Sequence, residues 1–222
     1  MQKPEVTVID YGVGNLLSVK RGLEHCGAVV TISSDAKTIL SSSLVVLPGV
    51  GAFGNAMEAL VALGLVDVIL EVFQRQTPLL GICLGMQLLL DKSDEFGSTK
   101  GLGIIPGSVI PIPAKTVSGE AQKIPHIGWT SLSVSDSYAN WDNTILGNNV
   151  SGDAAYFVHS FMATPLDTRH CIADCYYGGH KVVAVIQRDN TIGCQFHPEK
   201  SGNVGLNILK NFVLQLEPLK RT

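Results

Sequence analysis

The sequence predicts an α/β fold in which a mostly parallel central sheet is flanked by helices and extended by an antiparallel, β-rich C-terminal part. In the first half, strand-like runs alternate with segments of helical periodicity, an order typical of parallel sheets covered on both faces. The strand-like runs are continuously apolar, as in strands that are buried on both sides. After about residue 104, short β-rich runs separated by Pro, Gly, Asn and Ser replace this alternation.

The first half is predicted to contain four strands, and helical segments follow all of them except the second. The first run, EVTVI, is β-rich, and the helix after it has apolar residues at helical spacing, namely Leu16, Val19 and Leu23. The predicted strands are residues 5–9, 28–32, 44–47 and 77–82. The predicted helices are residues 15–25, 55–63, 65–73 and 84–91.

The second half is predicted to form an antiparallel extension that a last amphipathic helix closes, near residues 204–216. Its predicted strands are residues 109–112, 130–134, 155–158, 172–176, 182–186 and 192–196. The chain contains no internal repeat and no low-complexity linker. Residues 1–222 are therefore predicted to be a single domain.

Composition and charge exclude several classes of protein. Hydrophobic residues make up 45% of the chain and charged residues 16%, so a large core can form and disorder is not expected. The formal net charge of -3, with scattered basic residues, argues against a nucleic-acid-binding protein. Five cysteines without a C-x-x-C pair argue against a disulfide framework and a zinc ribbon. We expect no metal and no other cofactor.

The sequence also argues against export and membrane insertion. The N-terminus has no apolar signal core, because Glu5 and Asp10 interrupt it. The uncharged stretch between Lys37 and Glu58 contains three serines, Pro48 and three glycines, which favour a strand, a turn and a helix start over a membrane span. We expect a cytoplasmic protein.

The most specific local signal is the segment LLGICLGMQLLL at residues 79–90. An apolar strand runs directly into a helix through Gly81-x-Cys83-x-Gly85, the thiol version of the nucleophile elbow, where a Cβ in place of either glycine would clash. Such a turn exposes the sulfur at the carboxyl end of a strand and at a helix N-terminus, which favours the thiolate. The alternative is a small buried cysteine in a tight turn.

A nucleophilic cysteine needs a base and a group that orients this base. His197 follows the predicted strand 192–196, and Pro198 biases its backbone towards an extended conformation. Since residues two apart in an extended segment point the same way, Glu199 can reach the ring nitrogen that catalysis does not use. Cys83, His197 and Glu199 are therefore a candidate triad. The alternative is a capping histidine and a surface glutamate.

A glycine pattern at residues 48–54, PGVGAFG, raises a different possibility. Gly49, Gly51 and Gly54 match the G-x-G-x-x-G of a dinucleotide-binding turn, but that fingerprint belongs to the first βα turn, with its acidic residue at the end of the next strand. Here the turn follows the third strand, and Glu71 falls in a helical pattern. An NAD-binding module is thus disfavoured, and we expect Gly49 and Gly51 to bring backbone N–H donors close to a substrate at Cys83.

The segments GICLGMQ (81–87) and FHPE (196–199) resemble those of the triad-type, class I glutamine amidotransferases. The segments IDYGVGN, PGVGAF, PHIGW, YFVHS and QFHPEKSG, spread over nearly the whole chain, resemble in particular the glutaminase subunits of imidazole glycerol-phosphate synthases. The stretch 134–153 looks longer and more polar than that family usually needs. The resemblance implies hydrolysis of glutamine to glutamate and ammonia through a thioester.

The resemblance also implies roles for individual residues. Cys83 would attack the glutamine carboxamide, His197 would transfer protons, and Glu199 would hold the imidazole. The backbone N–H of Leu84 and the turn at Gly51 would hold the oxyanion. The residues implied to bind the substrate are Gly49, Gly51, Gln87, Glu95, His159, Ser160 and Phe161. Without the resemblance, a surface glutamine and a solvated helix end would explain two of these, Gln87 and Glu95.

Nothing else in the chain indicates a second active site that could use the ammonia, so we expect a separate partner, which the resemblance implies to be a (β/α)₈-barrel cyclase. The pair would form a heterodimer in histidine biosynthesis, with weak glutaminase activity in the isolated subunit. The residues implied to lie in segments that face the partner are Asn15, His126, Tyr156 and Lys181. The alternative for PHIGW and YFVHS is aromatic core and β-turn.

Three other functions are alternatives to this one, and the sequence disfavours the second of them. A paralogue that supplies ammonia to a cyclase-like partner in surface-sugar biosynthesis would share every catalytic residue. A subunit of another glutamine-dependent synthase, such as one for anthranilate or GMP, is disfavoured by the segments FHPEKSG and IDYGVGN. A cysteine hydrolase or peptidase on the same elbow is the alternative from another class.

Overall fold

A computed structural model describes residues 3–214. The strands are β1 (Glu5–Ile9), β2 (Val29–Ser33), β3 (Leu44–Gly49), β4 (Leu79–Cys83), β5 (Leu90–Ser93), β6 (Thr99–Lys100), β7 (Ile105–Pro111), β8 (His126–Ser131), β9 (Ser133–Val134), β10 (Ala154–His159), β11 (Phe161–Pro165), β12 (Cys171–Tyr177), β13 (His180–Arg188) and β14 (Thr191–Cys194). The helices are α1 (Leu16–His25), α2 (Ala36–Ser41), α3 (Phe53–Ala62), α4 (Leu65–Gln74), α5 (Leu84–Leu88) and α6 (Gly202–Leu214).

The central sheet has eight strands in the order β2-β1-β3-β4-β14-β13-β12-β9. Strands β2, β1, β3, β4 and β14 pair in parallel, whereas β13, β12 and β9 continue the sheet antiparallel from β14. This mixed sheet confirms the predicted fold class. Because β4 lies between β3 and β14, the carboxyl ends of these three strands share one edge of the sheet.

Two smaller sheets lie beside the central one. Strands β10 and β8 form an antiparallel pair, and β11, β7, β5 and β6 form a four-stranded sheet in that order. The chain passes from the first of these sheets to the second through a single residue, Ser160, between β10 and β11. This connection places residues 158–161 near the carboxyl ends of the central strands.

Both faces of the central sheet are covered, which explains the continuous apolar runs. Along β3, Leu44 and Val46 belong to one core, whereas Val45 and Leu47 belong to the other. Helices α1 and α6 supply apolar side chains to the first core, and α3 and α4 supply them to the second. Alternate residues of a parallel strand thus pack against different layers.

Several predicted boundaries differ from the structure. The predicted helix 84–91 ends at Leu88, and β5 begins at Leu90, because this apolar segment pairs with β7 and β6. An apolar run of this kind fits a buried strand as well as a helix, so the sequence does not separate the two. The predicted strand 192–196 ends at Cys194.

Other differences lie in the second half. The predicted strand 130–134 begins earlier and is interrupted, forming β8 and β9. Helix α2 and strands β6 and β11 have no counterpart among the predicted elements. The final helix begins at Gly202, and residues 215–216, which its prediction includes, lie outside the described residues.

Gly85 allows close packing that we expect a methyl group to prevent. A Cβ at Gly85 would lie 1.8 Å from the carbonyl oxygen of Leu47, whereas a Cβ at Gly54 would meet only the Thr99 hydroxyl at 3.7 Å. We predict that Gly85→Ala lowers the free energy of unfolding by roughly 2 kcal/mol or more, through overpacking against backbone. Gly54→Ala, the control, should leave it unchanged or raise it by up to about 1 kcal/mol. Urea unfolding of both variants checks this, and equal stabilities would contradict it.

Candidate active site

The nucleophile candidate lies on a strained turn. Cys83 is the last residue of β4 and has φ 54° and ψ −110°, outside the regions that residues with a side chain readily adopt. A Cβ at Gly81 would lie 2.7 Å from the carbonyl oxygen of Gly85, and Gly85 itself packs against β3. Both glycines of the Gly-x-Cys-x-Gly pattern are therefore explained by close backbone approach. The helix that follows has five residues, fewer than the predicted helix 84–91. Its macrodipole at Cys83 is therefore smaller than that prediction implied.

The base candidate meets this turn from the segment after β14. His197 Nδ1 donates a hydrogen bond to Glu199 Oε1 at 2.8 Å, and the two side chains are 3% and 1% exposed. His197 Nε2 has no hydrogen-bond partner among the described residues, and it lies close enough to Cys83 for the thiol to influence the pKa of the imidazole. The structure thus brings the three residues of the predicted triad together, with His197 in contact with Glu199 on one side and close to Cys83 on the other.

The pairing of His197 changes its pKa. Burial by itself lowers this pKa, but the interactions with Cys83 and with Glu199 outweigh burial and raise it to about 9. His197 is therefore an imidazolium at neutral pH. The thiolate is the nucleophilic form of a cysteine, and this imidazolium places the opposite charge and a transferable proton beside the sulfur.

A cavity of about 270 Å³ opens over the sulfur. It is lined by Val50, Gly51, Cys83, Leu84, Gln87, Glu95, Pro125, Val158, His159, Ser160, Phe161 and His197. The substrate-binding and oxyanion residues implied by the sequence resemblance lie in this lining, except Gly49. Val50, Pro125 and Val158 also line the cavity, and although they lie within the segments PGVGAF, PHIGW and YFVHS, the sequence assigned them no role.

Gly49 has a different role from the predicted one. It is buried and does not belong to the cavity lining; a Cβ there would lie 2.8 Å from the Tyr11 hydroxyl and 2.9 Å from the backbone nitrogen of Gly85. Gly51 has φ +95° with nothing within 4 Å of an added Cβ. The glycines of the 49–54 pattern therefore serve close packing at the first position and a left-handed turn at the second, and Gly54 has room for a side chain.

Two polar side chains of the cavity wall, those of Gln87 and Glu95, are tied to backbone groups. Gln87 is 5% exposed, and its Nε2 donates to the carbonyl oxygen of Phe161 and to Gln195 Oε1, both at 3.0 Å. Glu95 Oε2 accepts a hydrogen bond of 2.6 Å from the backbone N–H of Phe53, at the start of α3. Neither the surface position nor the solvated helix end, the alternatives for these two residues, matches the structure.

Two further histidines meet at the cavity, where His159 lines the wall and His126 does not, and no sequence signal indicated that they meet. His126 Nδ1 and His159 Nε2 are 2.9 Å apart, and His159 Nδ1 donates to the carbonyl oxygen of Phe161 at 2.8 Å. Since that carbonyl only accepts, His159 Nε2 must accept from His126 Nδ1, and His126 Nε2 must accept from the Thr130 hydroxyl at 2.8 Å. Burial lowers the pKa of both histidines to about 4, so both are neutral at pH 7.

One of the predicted partner-facing residues is inaccessible. His126 is 1% exposed and stacks between Phe157 and Tyr177, so its side chain cannot touch a partner. On the same strand, Ile127 and Trp129 are 51% and 58% exposed, because alternate residues of β8 face solvent.

The other predicted partner-facing residues are accessible. Asn15 and Tyr156 are half-buried, and Lys181, 43% exposed in its side chain, forms an ion pair with Asp136.

Within residues 3–214, no cluster of three His, Cys, Asp or Glu side chains is arranged to hold a metal ion. The five cysteines are all free. In the same range, no helix has both the length and the apolar character needed to span a membrane.

Comparison with known proteins agrees with the geometry. Residues 7–216 match the family model described as glutamine amidotransferase class-I. The chain is 47% identical over 208 residues to imidazole glycerol phosphate synthase subunit HisH 1 of Legionella pneumophila (strain Lens), covering 94% of this chain and 98% of the relative. It is 45% identical over 209 residues to subunit HisH of Geobacter sulfurreducens, with coverages of 94% and 97%.

Solved structures show the same fold at low sequence identity. PurLQS from Thermotoga maritima has a chain that superimposes with a TM-score of 0.72 at 18% identity, covering 97% of this chain and 100% of that one. A glutamine amidotransferase crystal structure superimposes with a TM-score of 0.69 at 15% identity, covering 95% and 97%.

The raised pKa of His197 predicts how stability depends on pH. Relative to an ordinary histidine at 6.5, a folded-state pKa of about 9 stabilises the folded chain fully below pH 6.5, and this stabilisation is lost as the pH rises through about 9. The difference in unfolding free energy between wild type and His197→Gln should therefore shrink between about pH 6 and about pH 10. Cys83→Ser should move the loss to lower pH, because Cys83 helps to raise this pKa. A difference independent of pH would contradict the assignment.

Proposed function

The chain belongs to the class I glutamine amidotransferase family, and from this membership we propose that it is the glutaminase subunit of an imidazole glycerol-phosphate synthase. It hydrolyses L-glutamine to glutamate and ammonia and passes the ammonia to a separate cyclase subunit in histidine biosynthesis. The observation that carries the catalytic part is the meeting of Cys83 with the His197–Glu199 pair at one cavity. The names of the similar proteins support the choice of the synthase.

In the first half of the reaction, the Cys83 thiolate adds to the carboxamide carbon of glutamine. The C–N bond then breaks, His197 gives its Nε2 proton to the departing nitrogen, and ammonia leaves a thioester on Cys83. An imidazolium with a pKa of about 9 holds this proton at neutral pH. General acid help of this kind contributes about 10²–10⁴-fold.

In the second half, neutral His197 removes a proton from water, which adds to the thioester carbon. The C–S bond breaks and glutamate leaves. The Cys83 thiolate and the protonated His197 are then restored. Glu199 keeps the ring oriented through the bond at Nδ1 and balances its positive charge. Both carboxylate and imidazole are buried, so water does not screen this interaction.

Each tetrahedral intermediate carries an oxyanion that needs N–H donors. The backbone N–H of Leu84, directly after the nucleophile, is one donor, and the turn at Val50 and Gly51, which also lines the cavity, supplies another. One donor of this kind contributes about 2.7–4 kcal/mol to the transition state.

The remaining cavity wall holds the amino-acid end of glutamine. Glu95 carries the carboxylate that pairs with the α-ammonium group, and its second oxygen anchors it to α3 through the backbone N–H of Phe53. Both N–H groups of Gln87 are used within the protein, so this side chain offers the substrate only its acceptor oxygen. His159, Ser160 and Phe161 complete the wall.

The ammonia acceptor is a (β/α)₈-barrel cyclase, and the two chains form a cytoplasmic heterodimer. Exposed Ile127 and Trp129 on β8, with Tyr156 on the paired strand β10, form an apolar surface suited to such a partner. A paralogue in surface-sugar biosynthesis would show the same site. Rescue of a histidine auxotroph by this chain, and no rescue by Cys83→Ser, separates the two.

The central prediction concerns Cys83→Ser. We expect this substitution to lower glutamine turnover by roughly 10³-fold or more, because a serine hydroxyl is hardly ionised beside a histidine at this pH. Wild-type chain should be weakly active alone and strongly stimulated by the barrel cyclase carrying its ligand. Ammonia release, measured with and without the cyclase, checks both statements. Turnover that survives the substitution overturns the mechanism, and full turnover of the isolated chain overturns the partner dependence.

A second prediction concerns Gly51, for which Gly27 is a matched control. Both have φ +95° and open space around an added Cβ, so an alanine at either position should cost similar stability, about 1–2 kcal/mol. Only Gly51→Ala should lower glutamine turnover, because the strained loop then moves its N–H donor away from the oxyanion. The readouts are thermal unfolding and ammonia release. Equal activity of the two variants would remove Gly51 from the oxyanion site.

A further inference from the structure

We propose that Gln195 is a positioning residue for Cys83, whose side-chain N–H acts as a second donor to the thiolate besides His197. The proposal rests on Cys83 being the nucleophile of the proposed function. Gln195 directly follows β14, is 0% exposed and does not belong to the cavity lining. It therefore acts on the sulfur and not on the substrate.

The orientation of the Gln195 amide follows from the groups behind it. The carbonyl oxygen of Phe161 can only accept, and it receives the N–H of His159 at 2.8 Å and one N–H of Gln87 at 3.0 Å. Gln87 must therefore turn its nitrogen, not its oxygen, towards Phe161. The second N–H of the same nitrogen meets Gln195 at 3.0 Å.

Only one orientation of Gln195 satisfies this contact. Its oxygen must face Gln87, because the reversed amide would bring two NH₂ groups together in a buried place. The Gln195 nitrogen then faces Cys83 Sγ at 4.0 Å. A chain of acceptors and donors that begins at the Phe161 carbonyl thus ends with an N–H directed at the sulfur.

The sulfur has different partners in its two protonation states. As a thiol, Cys83 donates to the carbonyl oxygen of Val158 at 3.9 Å. As a thiolate it has no proton for Val158, and it accepts instead from Gln195 and His197. Charge-assisted hydrogen bonds are shorter and stronger than neutral ones, so we expect the 4.0 Å contact to tighten when the sulfur is a thiolate.

Other titratable groups also influence the Cys83 sulfur, and the substitutions used in the experiment must leave these groups unchanged. His197 and Tyr11 interact electrostatically with Cys83, and Glu199 lies behind His197. Glu95 and His159 line the cavity. Substitutions of Gln195 that keep its volume leave these groups in place.

Two variants separate positioning of the sulfur from support of the fold. Gln195→Glu keeps an oxygen towards Gln87 and replaces only the sulfur-facing N–H by an oxygen. Gln195→Met keeps the volume but removes both contacts. Thr191→Val is the control, because it removes from β14, the strand that Gln195 follows, a buried hydroxyl that has no hydrogen-bond partner among residues 3–214.

The measurement is alkylation of Cys83 by iodoacetamide against pH, followed by mass spectrometry of the Cys83 peptide. Both Gln195 variants should shift the midpoint of alkylation to higher pH and lower the rate constant at neutral pH by roughly three- to tenfold, with Gln195→Glu the larger effect. Thr191→Val should match wild type. In glutamine turnover with the cyclase, kcat should fall and KM should stay, since Gln195 does not line the cavity.

Two results would overturn the proposal. One is a folded Gln195→Glu protein whose Cys83 reacts like that of wild type, which would leave Gln195 only a structural role. The other is a change accompanied by alkylation of buried Cys194, the adjacent residue, which would show that the fold had opened. Iodoacetamide reports on the sulfur in the absence of glutamine. A failure of the proposed glutaminase function would therefore not change this measurement, and it can be told apart from a failure of the proposal about Gln195.

Discussion

The candidate site depends on the close contact between β3 and the turn that follows β4. Cys83 has φ 54° and ψ −110°, a conformation that persists only where its surroundings hold it. The carbonyl oxygen of Leu47 occupies the place where a Cβ on Gly85 would lie, and Gly49 packs against the same turn. The turn cannot relax without leaving β3, so the sulfur stays directed towards the cavity.

The order of strands then brings the other catalytic candidates to this sulfur. Because β4 lies between β3 and β14, the loop after β3 supplies Gly51, and the segment after β14 supplies His197 and Gln195. The turn between β10 and β11 adds the wall on the remaining side. Each of these segments is short and begins at the end of a hydrogen-bonded strand, which limits its freedom.

Environment assigns opposite states to histidines around one cavity. His197 has a buried carboxylate on one ring nitrogen and a thiol near the other, so its pKa is raised to about 9. His126 and His159 have only neutral partners, and burial lowers their pKa to about 4. The charged histidine can transfer protons, whereas the neutral pair holds the Phe161 carbonyl in place. A histidine can thus transfer protons in one environment and have a structural role in another.

Local pattern was sufficient for the elbow and for the His197–Glu199 pair, because strand-to-helix sterics and the period of an extended chain act over a few residues. The continuous apolar runs likewise indicated that inner parallel strands such as β3 and β4 are buried on both faces. Tertiary structure alone decided the end of α5, the burial of His126, the separate roles of the three glycines, and the contact of Gln195 with Cys83 across 112 positions. The physical reason is that these outcomes depend on which atoms of distant segments meet. The sequence around a residue does not indicate which distant residue folding will bring next to it.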